Sequence, residues 1–176
     1  MQEVKLIPLD TALIDAITRG ASEIETAHGI RIANVMEWSV EVARQTAPLF
    51  ERLPPAWPWG SYLAASSVSH DGPASLAQPQ VVGVCAFKDH PNADGIVEIA
   101  YFTYPPYEER GIATAMARAL IAIARSQPNA PQVIAHTLPE RNASTRVLEK
   151  NGLRFAGEVM DPEDGRVWRW ELDRSE

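Results

Sequence analysis

Apolar and polar positions along this chain follow two rhythms, and each change of rhythm marks a new element. Val4 to Pro8 read as a short strand closed by its proline. From there to Ala27, apolar and acidic residues recur at roughly helical spacing, interrupted by Gly20 and then Gly29, which predicts two short helices. A longer helix is expected from Met36 to Phe50, with Trp38, Val42 and Leu49 as inward positions. The segment LPPAWPWG, Leu53 to Gly60, cannot be regular, because its three prolines remove donors and fix the backbone. It predicts a rigid aromatic loop that either lines a pocket or caps the core. Ser61 to Ala65 read as a strand, and Ser66 to Gln80, rich in Ser, Ala, Gly and Pro, as a surface loop or disordered connection.

Two clear strands follow, Val81 to Lys88 and Gly95 to Tyr104, joined by the turn-rich HPNAD as a hairpin. After Tyr104 the period becomes helical, with Ile112, Met116, Ala119, Leu120 and Ile123 on one side, until the helix ends near Ser126 to Pro131. Gln132 to Leu138 predict a strand and Ser144 to Lys150 a helix, which Asn151-Gly152 stops. Leu153 to Met160 and Arg166 to Leu172 are strands around DPEDG, where Asp164-Gly165 favours a tight turn. On the last strand Trp168, Trp170 and Leu172 share one face, most simply a hairpin-packing stripe, and Val167, Arg169 and Glu171 share the other. The expected class is α/β (α+β): one domain over residues 1–176, with a mixed, mostly antiparallel twisted sheet of about six to seven strands flanked by helices.

Composition narrows the function. The chain has 176 residues, and a domain of that size buries roughly 70% of its unfolded surface, enough for one good core. A formal charge of -7 argues against a nucleic-acid-binding face, which needs concentrated positive charge. The single cysteine, Cys85, excludes an intramolecular disulfide framework, and it reads as a small core residue rather than an acyl carrier. The histidines at 28, 70, 90 and 136 are scattered without HExxH spacing, so no structural zinc and no metal site are expected. Neither a signal peptide nor an apolar run of membrane-spanning length is visible, so no membrane is expected and a cytoplasmic protein is.

The most informative segment is EIAYFTYPPYEERGIATAMAR, Glu98 to Arg118. A strand ends at Tyr104, a loop turns back, and Gly111 opens a helix with small residues, Ala113 and Ala115, on its first turns. The first turn of a helix has amides without intrahelical partners and a dipole that favours anions. Backbone donors around Arg110 to Thr114 would therefore suit a pyrophosphate, with the Arg110 side chain adding a charged contact. An ordinary helix start fits the same spacing. Neither GxxxxGK[ST] nor GxGxxG is present, so the segment is not a nucleotide-hydrolysing P-loop or a dinucleotide fingerprint.

This segment resembles the acyl-CoA-binding motif of the GCN5-related N-acetyltransferases. The motif falls on Glu108, Glu109, Arg110, Gly111, Ile112 and Ala113, with Glu108 where the family usually has Gln or Arg. A second stretch, HTLPERNASTRVLEKNGLRFAGEV from His136 to Val159, resembles the branch that contains the ribosomal-protein alanine acetyltransferases. There Ser144 matches the helix-start serine, the family asparagine falls on Arg141 with Asn142 one position away, and Leu148 replaces the tyrosine acid of other branches. The resemblance implies an acyl-CoA N-acyltransferase fold, acetyl-CoA as cosubstrate and a primary amine as acceptor, either a protein or peptide N-terminus or a small molecule. It further implies that Phe102, Thr103 and Tyr104 offer an open strand edge to the pantetheine arm. Glu109, Arg110, Gly111, Ile112, Ala113 and Thr114 would hold the phosphates, and Asn142 would touch the arm.

Transfer of an acetyl group to an amine needs a neutral amine, donors for the developing oxyanion and a proton for the thiolate. Glu98, the lone carboxylate on an apolar strand, is the candidate base or amine-positioning group, and burial raises a carboxylate toward the useful range. A solvent-facing glutamate, or one paired with an arginine, is the alternative. Ser144 is the candidate donor to the thiolate, or else a hydroxyl serving its own helix, and Asn142 has the same double reading as a helix cap. His136 has no partner visible in the sequence and reads first as a core or surface histidine. A non-catalytic acyl-CoA-binding protein of the same fold is the alternative function. A hydrolase is a poor third reading, given the lack of GxSxG and of a credible triad. Exposed strand edges or the tryptophan-bearing hairpin would support a homodimer.

Overall fold

The computed structural model describes residues 3–52, 56–66 and 78–173. The side chain of Leu49, residues 53–55 of the aromatic loop, residues 67–77 of the expected Ser/Gly/Pro-rich connection and His70 lie outside the described residues. The element order agrees with the sequence pattern. Strand β1 (Lys5–Pro8) leads to helices α1 (Thr11–Arg19), α2 (Ala21–His28) and α3 (Met36–Arg52), and then to strands β2 (Ser61–Ser66), β3 (Gln80–Phe87) and β4 (Ile96–Thr103). Helix α4 (Ile112–Arg125), strand β5 (Gln132–Thr137), helix α5 (Ala143–Lys150) and the hairpin β6 (Leu153–Asp161) and β7 (Gly165–Leu172) complete it.

Local chemistry sets the ends of these elements. Asp10 caps α1 by accepting from the Leu13 amide at 2.8 Å. Asn142 and Thr145 form a reciprocal capping box at α5. Asp161 Oδ1 accepts from the Glu163 and Asp164 amides at 2.8 and 2.9 Å, which folds the β6–β7 turn onto Gly165 at φ 73°. Helix α3 buries a stripe one position round from the expected one. Ser39, Ala43 and Thr46 face inward below Val35, while Trp38 and Val42 lie half-buried along its edge. A large ring at the edge can cover core that a small inward residue lets the helix approach, and Trp38 does so by stacking on Tyr104 at 6.0 Å between ring centroids.

The seven strands form one sheet in the order β1-β2-β3-β4-β5-β7-β6. Every neighbouring pair is antiparallel except β4 and β5, which run parallel. Helix α3 reaches the sheet at Tyr104, where Ser39 Oγ donates to the Tyr104 hydroxyl at 3.3 Å. Helix α4 packs on β3 and β4 from the other face, with Met116 against Gly83. The core is continuous across both layers, and Cys85 is part of it. Burial pushes the Cys85 thiol far up, which suits the core role expected of it. Trp170 is fully buried, and its ring N–H donates to Thr137 Oγ1 at 3.1 Å.

The parallel pair is short. The β4–β5 register runs Ile96↔Gln132, Val97↔Val133 and Glu98↔Ile134 and stops there. Beyond it, β4 continues to Thr103 against β3, and β5 continues to Thr137 against β7. The sheet therefore forks immediately after Glu98.

Gly83 keeps the β3 arm of this fork close. A Cβ on it would lie 2.5 Å from the Phe102 carbonyl oxygen and 3.2 Å from Thr103 Cα, both backbone atoms that cannot swing aside. Gly83→Ala is expected to destabilise the protein by about 1–3 kcal/mol, measured as a lower midpoint in urea denaturation.

Candidate active site

The fork opens two cavities that meet at Tyr101 and Ser144. The inner one, about 320 Å³, is bounded by Glu98, His136, Lys88, Leu138, Asp164 and Val167. The outer one, about 550 Å³, runs along Phe102 and Thr103 to the first turn of α4 and is closed on the far side by α5. Tyr101 and Ser144 line both. The Tyr101 hydroxyl donates to the Ser144 carbonyl at 3.4 Å, so β4 and α5 touch at the neck.

Backbone direction decides what the β4 edge offers. The Lys88 amide donates to the Glu98 carbonyl at 2.9 Å, and the Tyr104 amide donates to the Val82 carbonyl at 3.0 Å. Hydrogen-bonded and non-hydrogen-bonded pairs alternate along an antiparallel ladder. Glu98, Ala100, Phe102 and Tyr104 therefore turn their backbone groups toward β3, and Ile99, Tyr101 and Thr103 turn theirs into the fork. This corrects the expectation for the open edge. The amides of Phe102 and Tyr104 are committed to β3, and the edge is carried by Thr103 together with Tyr101, which the sequence reading passed over. The register with β3, invisible in the sequence, sets that parity. Thr103 Oγ1 is buried and has no hydrogen bond.

At the outer end the chain curls before α4. Glu109 (φ 60°) and Gly111 (φ 78°) both adopt left-handed backbone, a curl that gathers successive N–H groups into a concavity. Gly111 caps α4 without any side-chain hydrogen bond, which leaves the first-turn amides of Ile112, Ala113 and Thr114 uncapped. All five of these residues line the outer cavity, as does Glu108. Arg110 does not. Its guanidinium lies 5.7 Å from the centre of the Tyr107 ring instead. Two cations that the sequence reading missed, Arg146 and Lys150, line the cavity from α5 and make no ion pair among the described residues. Their i, i+4 spacing on the cavity side of α5 was the available signal.

At the inner end Glu98 is partnered. Lys88 Nζ lies 2.9 Å from Glu98 Oε1, and His136 Nδ1 lies 3.2 Å from the same oxygen. Glu98 is thus ion-paired, but with a lysine rather than the arginine expected as the alternative. Burial lowers the Lys88 ammonium, but the hydrogen bond to Glu98 and the charges of Glu98, Asp164 and Asp161 outweigh it, so its pKa is raised and it stays charged. The Asp164 carboxylate is 3.8 Å from Lys88 Nζ, and Asp161 is 4.0 Å from His136 Nδ1. Backbone amides of Asp164 and Glu163, with smaller help from Lys88 and His136, hold Asp161 below the usual carboxylate range. His136, read from sequence as a core or surface residue, sits at the inner end of the fork with its Nδ1 3.2 Å from Glu98 Oε1.

Ser144 stands at the neck between Glu98 and the α4 turn, which joins it to both ends of the site. Asn142 does not reach either cavity lining. Its side chain accepts from the Thr145 amide at 3.1 Å, the capping alternative. Tyr104 is fully buried under Trp38 and Phe102. The described part of the aromatic loop packs on the core, with Trp57 edge-on to Tyr62 and Trp59 edge-on to Phe87, and neither ring lines the fork.

A protein-family model described as Acetyltransferase (GNAT) domain matches residues 26–154, well over half of the chain. Among solved structures, the fold is similar to an acetyl transferase from Salmonella typhimurium that modifies the N-terminal serine of 50S ribosomal subunit protein L7/L12. That match has TM-score 0.61 and 13% identity, covering 99% of this chain and 97% of that one. It is also similar to a GNAT-family acetyltransferase from Bordetella pertussis, with TM-score 0.60, 17% identity and coverage of 98% and 97%. A third similar structure is the Microcin C7 self immunity acetyltransferase MccE in complex with acetyl-CoA and AMP, with TM-score 0.58, 14% identity and coverage of 96% and 91%. Among curated proteins, no sequence matches significantly.

The chain has four tyrosines, at 62, 101, 104 and 107, and burial raises the pKa of every one, Tyr62 to about 12. A phenol raised in the folded state favours folding fully below the unfolded value of about 10, and that contribution is lost as pH rises through the folded value. Phenolate absorbance of the native protein should therefore rise at higher pH than that of the protein in denaturant, and stability should fall above about pH 10. Coincident native and denatured titration curves would contradict this placement.

Proposed function

Because the chain belongs to the GNAT acetyltransferase family, we propose that it transfers the acetyl group of acetyl-CoA to a primary amine by direct attack in a ternary complex. The observation that carries this reading is the continuity of the forked groove. One wall runs from an uncapped helix start, past an unpaired strand edge, to a partly buried carboxylate. The uncapped amides of Ile112, Ala113 and Thr114, curled behind Glu109 and Gly111, suit a pyrophosphate. Arg146 and Lys150 add the cationic charge that Glu108 and Glu109 subtract. The Tyr101 and Thr103 backbone groups suit the amide-bearing pantetheine arm as an added strand would.

Glu98 takes the proton of the acceptor amine. The nitrogen then bonds to the acetyl carbon, the carbon–sulfur bond breaks, and coenzyme A leaves as the thiol. Ser144, at the neck, is placed to donate toward the departing sulfur. For the acceptor, the α-amine of a protein or peptide fits the inner cavity better than a polyamine. An α-amine loses its proton near pH 8, against about 10.4 for a lysine-type amine, so it asks less of the base.

Calorimetric titration of acetyl-CoA tests the groove. Wild type should bind in the micromolar range. Gly111→Pro, whose ring cannot adopt a φ of 78°, should lose binding while circular dichroism shows it folded. Arg146→Glu with Lys150→Glu, both exposed, gives a second variant expected to weaken binding at least tenfold. No binding by wild type would overturn the assignment.

Thiol release with seryl- and alanyl-peptides tests the chemistry. Glu98→Gln should lower kcat by about 10²–10⁴ with acetyl-CoA affinity unchanged. Tight binding without thiol release over a broad amine panel would instead support the non-catalytic alternative.

A further inference from the structure

His136 is the most conspicuous unexplained group in the inner cavity. Its side chain is 12% exposed, and both ring nitrogens are buried without a hydrogen bond. Buried polar atoms in native proteins are nearly always paired, and an orphan in a cavity calls for a functional explanation. The ring is not remote from charge. Nδ1 is at ion-pair distance from Glu98 Oε1, 3.2 Å, but out of line for a hydrogen bond. The same oxygen is held by Lys88 at 2.9 Å.

Topology makes this meeting specific. Glu98 is the last β4 residue paired with β5, opposite Ile134, and His136 is two residues further along β5. Positions two apart on a strand share a face, so Glu98 and His136 lie on one face at the apex of the fork. The other charged groups around the ring are Lys88 from the end of β3, Asp161 and Asp164 from the β6–β7 turn, and Arg169, its cross-strand partner on β7. Arg169 is itself paired with Glu171 at 2.7 Å. The Tyr101 phenol also lines the cavity, and burial keeps it protonated.

We propose that Glu98 and His136 act as one proton-accepting pair, in which the carboxylate receives the proton of the acceptor ammonium and the imidazole holds it. The inference rests on the acetyltransferase reading and deepens it. An imidazole changes charge between about pH 5 and 8, so it is a suitable holder for a proton handed on by the carboxylate. The first proton passes from the acceptor to Glu98 and on to His136 Nδ1, leaving a neutral amine. After the C–N bond forms and the C–S bond breaks, the second N–H proton goes to the departing thiolate. His136 then releases the first proton to solvent. His136 acts through Glu98 and is a positioning residue, and Lys88 orients the shared oxygen.

Two readouts decide the matter. The first is histidine-ring NMR against pH for wild type, Glu98→Gln and Lys88→Met, with His136→Asn for assignment and His28 and His90 as internal references. Loss of the carboxylate should lower the His136 midpoint by about one pH unit or more, loss of the ammonium should raise it, and the references should not move. The second is the pH dependence of kcat/KM for acetylation of a seryl-peptide. His136→Asn should lower kcat at least tenfold, leave KM for acetyl-CoA unchanged and move the acid limb to lower pH. A His136 midpoint indifferent to Glu98→Gln, or an acid limb that stays in place in His136→Asn, overturns the proposal. If wild type binds acetyl-CoA yet acetylates no amine, the functional reading fails with it. A coupled midpoint in that case would mark the pair as structural.

Discussion

A parallel strand pair with only three residues in register is an unstable arrangement unless something prevents the strands from zipping further. Here β4 is drawn one way by its ladder with β3, and β5 the other way by its ladder with β7. Each arm is anchored by burial, Tyr104 under Trp38 on one side and Trp170 bonded to Thr137 on the other. The cavity walls, the exposed odd-numbered backbone of β4 and the placement of Glu98 at the apex all follow from that divergence. The glycine at 83 belongs to the same constraint, because it lets β3 lie close against Phe102 and Thr103.

The two ends of the groove differ in how they handle charge. At the α4 end, anions would meet backbone donors and two solvent-facing cations on α5, an arrangement that neutralises without burying any charge of its own. At the apex, charge is partly buried and mutually compensated. Lys88 and His136 converge on one oxygen of Glu98, and Asp161 and Asp164 lie just beyond. Ser144 and Tyr101 form the waist between these two electrostatic regimes. The overall charge of -7 therefore does not describe the α4 end, where local backbone dipoles and two cations govern.

Much of the fold was legible because its signals are local. Gly20 and Gly29 stop α1 and α2, Asp164-Gly165 turns the last hairpin, and the period change after Tyr104 places α4. The left-handed turn that opens α4 was legible for the same reason, since the glycine and the small residues sit in one short run. What escaped depends on neighbours distant in the chain. Ser39 and Ala43 face inward because Tyr104 and Trp38 fill the adjoining space. The parity of the β4 edge is set by β3, so Tyr101 could not be separated from Phe102 by sequence. His136 acquires its partner only when β4 and β5 lie side by side, and Asn142 is taken by its own helix once α5 forms.

The unpaired half of β4 has a thermodynamic consequence of its own. A strand edge inside a sheet is normally satisfied by its neighbour, and here that role is left to whatever enters the fork. An occupant that supplies matching donors and acceptors engages only the folded chain, so it acts as an eighth, removable strand whose concentration adds to folding free energy by mass action. The protein's resistance to unfolding would then track its supply of acyl donor, and local opening in the resting molecule would concentrate along residues 99–103 rather than at the periphery of the sheet.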